Sequence, residues 1–506
     1  MSEGRNLVVC CDGTWNSADN MDGESPAPTN VHKLFSSLEA DSTNQLTRYQ
    51  AGVGTEGFID RITGGLLGIG LNEDIRDCYQ WLSDKYQPGD RVFLFGFSRG
   101  AFTARSLGGL IALKGLMDFK QTQANTDSSR QEIVDDLFQK AYKEKNTSSD
   151  YIFYPGSDSV YFIGVWDTVG SLGVPDDKAI LDLFDRPDRY KFHNTKLNKN
   201  VRYARHAVAL DERRSSFSPT LWTVIPPTCN VKQVWFPGVH SDIGGGYKET
   251  GLSDCTLEWM ITELKALPHK LLFDDEMIKQ IDPNPLDRLH NSYSGVMTML
   301  RSLPRAFPNI LNSSDVSDYA RDRFKKPPIQ QGKYLPHREF VDNKVSVDIY
   351  AKHRWYWTGI YLDAGTYECK AEGEWVDRTI PCSPKGMSDG KFHVGELVQM
   401  LGTVLGWLES ALNRVRNNEQ NDDFISVTKR VEEADWFTLI GVVANQESPK
   451  NDGDPPPPQI EILGDSAVIT VEKPGYLYCF ANDAWAMYDN NRGYVKLDIE
   501  RLPENG

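Results

Sequence analysis

The pattern of hydrophobic and polar residues predicts strands that alternate with helices in the N-terminal part of the chain. Residues 72–86 and 99–114 carry apolar side chains at helical spacing. Short apolar runs typical of buried strands occur at residues 6–11, 91–95, 160–166 and 231–237. Because strands alternating with helices pair side by side, we predict an α/β fold with a doubly wound, mostly parallel sheet.

The pattern changes near residue 340. From there to the C-terminus, β-branched and aromatic residues recur between turn residues, which is typical of an antiparallel β-sandwich. Residues 394–416 interrupt this pattern with a helical stripe of apolar side chains, for which packing on the sandwich is favoured over docking on a membrane. We therefore predict two domains, residues 1–340 and 341–506, with a helical insertion near 394–416.

Charge and composition narrow the range of partners. The formal net charge of −16 argues against nucleic-acid binding and against attraction to an anionic membrane, so any peripheral membrane contact would be mainly apolar. The sequence shows neither a secretory signal nor an apolar run long enough to span a membrane, which predicts synthesis in the cytoplasm. The eight cysteines show no metal-binding spacing. The adjacent Cys10 and Cys11 are expected to be reduced thiols on opposite faces of a strand.

The most distinctive local motif is Gly96-Phe97-Ser98-Arg99-Gly100, which fits G-x-S-x-G. It lies between a predicted strand and a predicted helix, the setting of a nucleophile elbow. In such a turn the serine hydroxyl projects over the carboxyl ends of the strands. The alternative interpretation is a serine that caps the helix after a tight turn.

A nucleophilic serine on this fold needs an acid and then a histidine later in the chain. Asp167 and His240 each follow a predicted buried strand, so both are expected at the same edge of the sheet. His206 lies in the middle of a predicted element, which favours a structural role. Asp211 and Asp242 are rival acids, although Asp242 is too close in sequence to orient His240 easily.

The oxyanion of an ester intermediate needs backbone N–H donors. The elbow pattern predicts one from Arg99 and another from the loop after the first strand, at Gly13 or Thr14. A strand that ends in D-x-D-G-T would suggest an aspartyl-phosphate phosphatase. Here Cys10 stands where the nucleophilic aspartate of those enzymes would be, so this interpretation is rejected. Asp12 is then expected to brace the turn.

Seven blocks of the sequence, in chain order, are LVVCCDGTWN, YQAGVGTEG, GLNEDIRDCYQWLSDKYQPGD, FLFGFSRGAFTARSLGGLI, GVWDTVGSLG, RHAVALDERRSSFSP and VWFPGVHSDIGGGY. Through these blocks, residues 6 to about 310 resemble the α/β-hydrolase family that includes the lipase effectors of type VI secretion. The resemblance implies an α/β-hydrolase fold, phospholipase A activity, and the roles of nucleophile, acid and base for Ser98, Asp167 and His240. It also implies export by the type VI route.

Residues 476–498 are similar to the end of the calcium-dependent galactophilic lectin, a galactose-binding-like sandwich. In that lectin the run N-D-x(6)-N-N holds Ca²⁺ and the sugar. The resemblance implies side-chain oxygens from Asp483, Asn490 and Asn491 and a backbone carbonyl from Met487, with a further carbonyl from the turn near residues 377–378. Hard oxygen ligands of this kind suit Ca²⁺. The alternative is a hairpin loop rich in Asp and Asn that binds no ion.

Together these observations predict a serine hydrolase that cleaves carboxylic esters, with lipid or phospholipid acyl esters as substrates and no catalytic cofactor. A structural Ca²⁺ and a carbohydrate ligand are expected only in the C-terminal domain. The alternative function is a lectin-like, carbohydrate-binding protein whose hydrolase domain is an inactive scaffold.

Overall fold

The computed structural model describes residues 4–13, 16–17, 19–39, 43–52, 66–143, 151–169, 195–294, 302–387, 429–446, 457–485 and 487–503. The chain divides into two compact units, Met1–Tyr334 with Gln446–Pro457, and Leu335–Asn445 with Pro458–Gly506. The predicted helical insertion at 394–416 lies outside the described residues.

The first unit is built on one parallel sheet. Its strands are β1 (Asn6–Cys11), β4 (Gln45–Gln50), β5 (Arg91–Phe97), β6 (Val160–Trp166), β7 (Val201–Ala209) and β8 (Asn230–Phe236), and a short hairpin is formed by β2 (Met21–Asp22) and β3 (Ser25–Pro26). In the described part of the chain the sheet has six strands in the order β4-β1-β5-β6-β7-β8, all parallel. Since parallel strands share one carboxyl edge, the segments that follow β5, β6 and β8 are brought together there.

The helices cover both faces of this sheet. They are α1 (Asn30–Ser36), α2 (Leu66–Lys85), α3 (Arg99–Lys114), α4 (Asp127–Leu137), α5 (His240–Gly244), α6 (Gly251–Lys265), α7 (Asp275–Ile278) and α8 (Asp318–Lys325). One apolar core joins the sheet to α2, α3 and α4, and a second joins it to α1 and α6. Cys11 belongs to the first core and Cys10 to the second, so the two side chains lie on opposite faces of the strand, as their adjacency predicts. Both are free thiols.

The predicted elements agree closely with the structure at the edge of the sheet. Strand β6 and helix α3 have the predicted bounds, and β5 continues to Phe97, directly before Ser98. Helix α2 begins at Leu66 rather than at residue 72. The added part of the helix contains Gly68 and Gly70. Each glycine weakens a helix by about 1 kcal/mol but does not prevent one from forming.

The second unit contains two antiparallel sheets around a common core. Its strands are β9 (Lys344–Tyr350), β10 (Tyr356–Leu362), β11 (Gly365–Asp377), β12 (Ile380–Cys382), β13 (Leu439–Ala444), β14 (Gln459–Ile462), β15 (Ser466–Val471), β16 (Gly475–Ala481) and β17 (Asn491–Arg501). One sheet runs β10-β16-β13-β14, and the other runs β12-β11-β17-β9 with β15 also paired to β11. Side chains from both sheets share one apolar cluster. The predicted fold class, an α/β-hydrolase core followed by a β-sandwich, is therefore confirmed.

Candidate active site

Ser98 lies in the turn between β5 and α3, with φ 57° and ψ −122°. Such a positive φ is unfavourable for a residue with a side chain, so the surrounding structure must hold it. The turn is tight because Gly100 packs against the backbone of β1: a Cβ there would lie 2.2 Å from the Cys11 carbonyl oxygen. The Ser98 N–H donates to the Trp166 carbonyl across 3.1 Å, which ties the turn to the end of β6.

Asp167 and His240 meet at the same edge of the sheet. Asp167 directly follows β6 and is fully buried, whereas His240 begins α5 after β8 and is 5% exposed. The distance from Asp167 Oδ2 to His240 Nδ1 is 2.6 Å. This contact makes Nδ1 the protonated nitrogen of a neutral ring and leaves Nε2 with a lone pair.

The charges around this pair favour an ionised acid and a neutral base. Burial raises the pKa of Asp167, but the Arg305 charge and the hydrogen bond from His240 outweigh it and hold that pKa well below its ordinary range. Burial lowers the pKa of His240, and the hydrogen bond and charge of Asp167 only partly offset this. Near neutral pH, His240 can therefore accept a proton.

The imidazole is also fixed by its neighbours. Phe97 lies 4.7 Å from the His240 ring, centroid to centroid, and Phe217 lies 4.8 Å away in an edge-on arrangement. The Arg214 guanidinium stacks 3.5 Å above the Phe217 ring and pairs with Glu212 across 2.8 Å. Glu212 in turn accepts the backbone N–H of His240 at 3.2 Å. Rings and ion pair together leave the imidazole little freedom to turn.

The loop after β1 approaches Ser98 closely. A Cβ at Gly13 would lie 3.3 Å from the Ser98 Cβ and 2.7 Å from the side-chain nitrogen of Asn16. The Gly13 N–H donates to Asp12 Oδ1 at 2.7 Å, while the hydroxyls of Thr29 and Tyr49 donate to Asp12 Oδ2 at 2.6 and 2.7 Å. Asp12 thus braces this turn. Thr14 lies outside the described residues.

Arg99 begins α3, so its backbone N–H belongs to the first turn, where no intrahelical acceptor is available. That places one backbone donor of the predicted oxyanion site directly after Ser98. The positive end of the helix dipole lies at the same point and favours negative charge there.

The rival residues are engaged elsewhere. Asp211 Oδ2 accepts the Gly238 N–H at 2.7 Å and the Tyr334 hydroxyl at 2.8 Å. Asp242 accepts the His290 Nδ1–H at 2.6 Å and caps the turn that carries His240. His206 lies within β7, where its Nε2 accepts the Thr168 N–H at 3.0 Å, in keeping with the structural role expected for it.

Two groups beside the pair were not predicted from the sequence. Glu212 lies two residues before Arg214 in the block RHAVALDERR, but nothing in that block indicates that its carboxylate turns toward His240. Arg305 donates from its Nη1 to Asp167 Oδ1 at 3.1 Å, although it lies 138 residues further along the chain. No local pattern could have indicated a contact across that separation.

A second cluster, in the C-terminal unit, contains the predicted calcium ligands. Asn491 Nδ2 donates to Asp483 Oδ2 at 2.9 Å, and Asn490 Nδ2 donates to Asp377 Oδ1 at 3.0 Å. The N–H of Arg378 reaches the Asn490 carbonyl at 3.3 Å. The turn after β11 and the loop before β17 are therefore joined, through the Asp377 side chain and the Arg378 N–H.

Two oxygens of this cluster are unusual because they lack a hydrogen-bond partner. Asn490 Oδ1 and Asn491 Oδ1 are buried and accept no hydrogen bond. Burial raises the pKa of Asp483 to about 7, with hydrogen bonds from Asn491 and Ala484 acting in the opposite direction. Among the described residues no group of three or more His, Cys, Asp or Glu is placed to hold a metal. The donors here are instead two carboxylates and two amide oxygens, a hard set that fits Ca²⁺.

No helix in the described part of the chain is long and apolar enough to cross a membrane.

Comparison with solved structures returns low overall similarity. An uncharacterized protein from Pseudomonas aeruginosa is 18% identical, with 56% of this chain and 49% of that chain covered and a TM-score of 0.33. Esterase 2 of Thermogutta terrifontis is 11% identical, with coverage of 53% and 87% and a TM-score of 0.26. The EclA N-terminal domain, a PllA-like lectin, is 15% identical, with coverage of 32% and 100% and a TM-score of 0.18. At these TM-scores the likenesses indicate nothing about substrate.

Sequence comparison gives the stronger result. An uncharacterized protein of Saccharomyces cerevisiae is 29% identical over 254 residues, which cover 44% of this chain and 34% of the relative. The chain thus spans about a third of the length of that curated relative. The sequence model of the type VI secretion system phospholipase effectors, Tle1-like catalytic domain, matches residues 5–263. Since that match covers just over half of the chain, the protein belongs to the Tle1-like family of type VI secretion phospholipase effectors.

Proposed function

We propose that this chain is a serine hydrolase that cleaves carboxylic esters of lipids, phospholipids foremost, with Ser98, Asp167 and His240 as its catalytic triad. The observation that carries the proposal is the 2.6 Å contact between buried Asp167 and His240, at the sheet edge where Ser98 sits in a strained turn. A buried acid paired to a histidine beside such a serine is the arrangement that activates a hydroxyl.

In the proposed reaction His240 Nε2 takes the proton of Ser98 as Oγ attacks the ester carbonyl carbon. The imidazolium that forms is stabilised by ionised Asp167. His240 then returns the proton to the leaving alcohol, and the acyl group remains on Ser98. Water, deprotonated by the same histidine, releases the fatty acid in the second half of the cycle.

The negative charge on the tetrahedral intermediate needs donors that are already in place. The Arg99 N–H, at the start of α3, is the first. The second comes from the loop after β1, where Gly13 and Thr14 are the predicted donors. Because the Gly13 N–H is directed at Asp12, it would have to turn away from that carboxylate to serve. The side-chain amide of Asn16, which lies next to Gly13, would be a further donor in this loop.

Family membership supports a lipid substrate and export by the type VI route. The acyl chain would have to reach Ser98, which is 9% exposed, so the ester must approach through a narrow opening or with local movement. A peripheral membrane contact, mainly apolar because the chain is acidic, is part of the same proposal.

A second function is proposed for the C-terminal unit, which would bind one Ca²⁺ and through it a carbohydrate. The supporting observation is the pair of buried, unpartnered amide oxygens on Asn490 and Asn491 beside the buried carboxylate of Asp483. The carboxylate of Asp377 and the Met487 carbonyl complete the donor set. When bound, the ion would neutralise the two carboxylates and give sugar hydroxyls a coordination partner.

The test of the hydrolase is labelling by a fluorophosphonate probe, which reacts only with an activated serine. Wild-type protein should be labelled and should release fatty acid from phosphatidylcholine vesicles, whereas Ser98→Ala should do neither. The matched control is Ser106→Ala, at a buried serine of helix α3 that follows the Ser98 turn, and it should behave as wild type. An unlabelled wild-type protein would favour the alternative, an inactive scaffold joined to a lectin-like unit.

A further inference from the structure

Arg305 is buried against the far side of Asp167. Its side chain is 4% exposed, and Nη1 contacts Asp167 Oδ1 at 3.1 Å. The remaining donors are directed at backbone carbonyls: Nη1 to Ala209 at 3.1 Å, Nε to Glu212 at 3.1 Å and Nη2 to Phe217 at 2.5 Å. A planar guanidinium group that donates to several fixed acceptors is held in one orientation.

The two oxygens of Asp167 are thereby given different tasks. Oδ2 faces His240, while Oδ1 accepts the Ala209 N–H at 3.0 Å and the Arg305 guanidinium. With Oδ1 held from two directions, the carboxylate cannot rotate away from the imidazole. Arg305 also donates to the carbonyl of Phe217, whose ring packs on the His240 ring. It therefore supports both Asp167 and the aromatic contact that holds His240.

Several charged or titratable groups surround the pair. Asp167 and Glu212 favour a protonated His240, and Arg214 opposes it. Asp167 itself faces Arg305 and His240, with His206 on the next strand. Arg305 acts directly on Asp167, and its charge offsets the negative charge that this carboxylate presents to His240.

We propose that Arg305 is a positioning residue of this active site, which holds Asp167 in register with His240 and keeps the histidine an unprotonated base in mildly acidic surroundings. The inference rests on the proposed function, because it assigns a role within the same triad. Arg305 lies beyond the family match at residues 5–263, so this arm of the site is supplied by a later segment of the chain.

The test compares two variants on a soluble short-chain ester. In Arg305→Gln the charge is lost, so the acidic limb of kcat/KM should move up by about one pH unit, and kcat should fall on the order of 100-fold. In Arg305→Lys the positive charge remains, but the planar guanidinium group and its hydrogen bonds to several acceptors are lost. Its acidic limb should stay at the wild-type pH, and its kcat should fall with little change in KM.

Arg205 provides the matched control, since it too is buried and pairs with a carboxylate, Glu263, at 2.7 Å, away from the pair. Arg205→Gln should lower the melting temperature without moving the pH profile. The proposal is overturned if Arg305→Gln keeps the wild-type acidic limb, or if Arg305→Lys moves it as far as Arg305→Gln does. Should Arg305→Gln not fold, Arg305→Lys decides: wild-type kcat overturns the proposal, and reduced kcat with an unmoved limb supports it.

Failure of the proposed function has a separate signature. If wild-type protein is not labelled at Ser98 by the fluorophosphonate probe, the hydrolase itself is refuted. If wild type is labelled and active while the Arg305 variants share its pH profile, only the role of Arg305 is refuted.

Discussion

Asp483 should make the metal-free protein less stable as pH rises. Asp483 is 2% exposed, and burial raises the pKa of its carboxyl group from 3.8 to about 7. Between these values the folded state holds a proton that the unfolded state has released, so stability falls with pH across this window. At about 1.4 kcal/mol per pKa unit, the full loss above pH 7 is roughly 4 kcal/mol.

A bound calcium ion should remove this loss, because it replaces the proton as the positive partner of the carboxylate. For a unit of this size, a change of 4 kcal/mol corresponds to roughly 10 °C in melting temperature. The prediction is that Ca²⁺ raises the melting temperature of the C-terminal unit strongly at pH 8 and weakly at pH 5.

The assay is thermal unfolding of the full chain, stripped of metal on a chelating resin, at pH 5 and pH 8 with and without millimolar Ca²⁺. Asp483→Asn is the control, since it keeps the size of the side chain and removes the titration. Its stability should fall less with pH than that of the wild type, and Ca²⁺ should have little effect on it. Equal pH dependence of the two metal-free proteins, with no calcium effect on either, would show that Asp483 neither titrates in this window nor binds Ca²⁺.

Four substitutions test other parts of the structure. Asp167→Asn should lower kcat on the order of 10⁴-fold in kinetic assays without unfolding the protein, whereas Asp211→Asn, which loses only structural hydrogen bonds, should chiefly lower the melting temperature. Gly100→Ala should destabilise by about 1–3 kcal/mol in urea unfolding, because its Cβ would lie 2.2 Å from the Cys11 carbonyl oxygen; unchanged stability would contradict this packing. Trp375→Phe should lower the melting temperature of the second unit, since it removes a buried indole N–H donor and leaves a backbone carbonyl without its partner.

The sheet edge was predictable because each step depends on short-range pattern. The apolar runs predicted β5 and β6, and Ser98 and Asp167 directly follow these strands. Because the carboxyl ends of parallel strands lie at the same edge of a sheet, the two residues were expected there. The same reasoning separated His206, in the middle of β7, from His240, which follows β8.

What the sequence did not indicate depends on contacts between distant segments. Arg305 reaches Asp167 from an irregular segment with no periodic pattern, and the Glu212 carboxylate could have pointed to solvent as easily as to His240. The direction of the Gly13 N–H was equally beyond prediction, since a single peptide rotation decides whether it faces Asp12 or the ester. Spacing places residues on elements, but it does not orient polar groups within a loop.

The backbone at Ser98 has a consequence for how this family can change over time. A φ of 57° is accessible to glycine without penalty and costs other residues about 1–3 kcal/mol. If the hydroxyl conferred no advantage, a substitution that relaxes the turn would stabilise the fold. Glycine, which adopts this φ without penalty, would then be expected to replace serine at this position. Among relatives, a serine retained in this conformation would therefore mark chains under selection for chemistry, and a glycine would mark descendants in which only the scaffold has been kept.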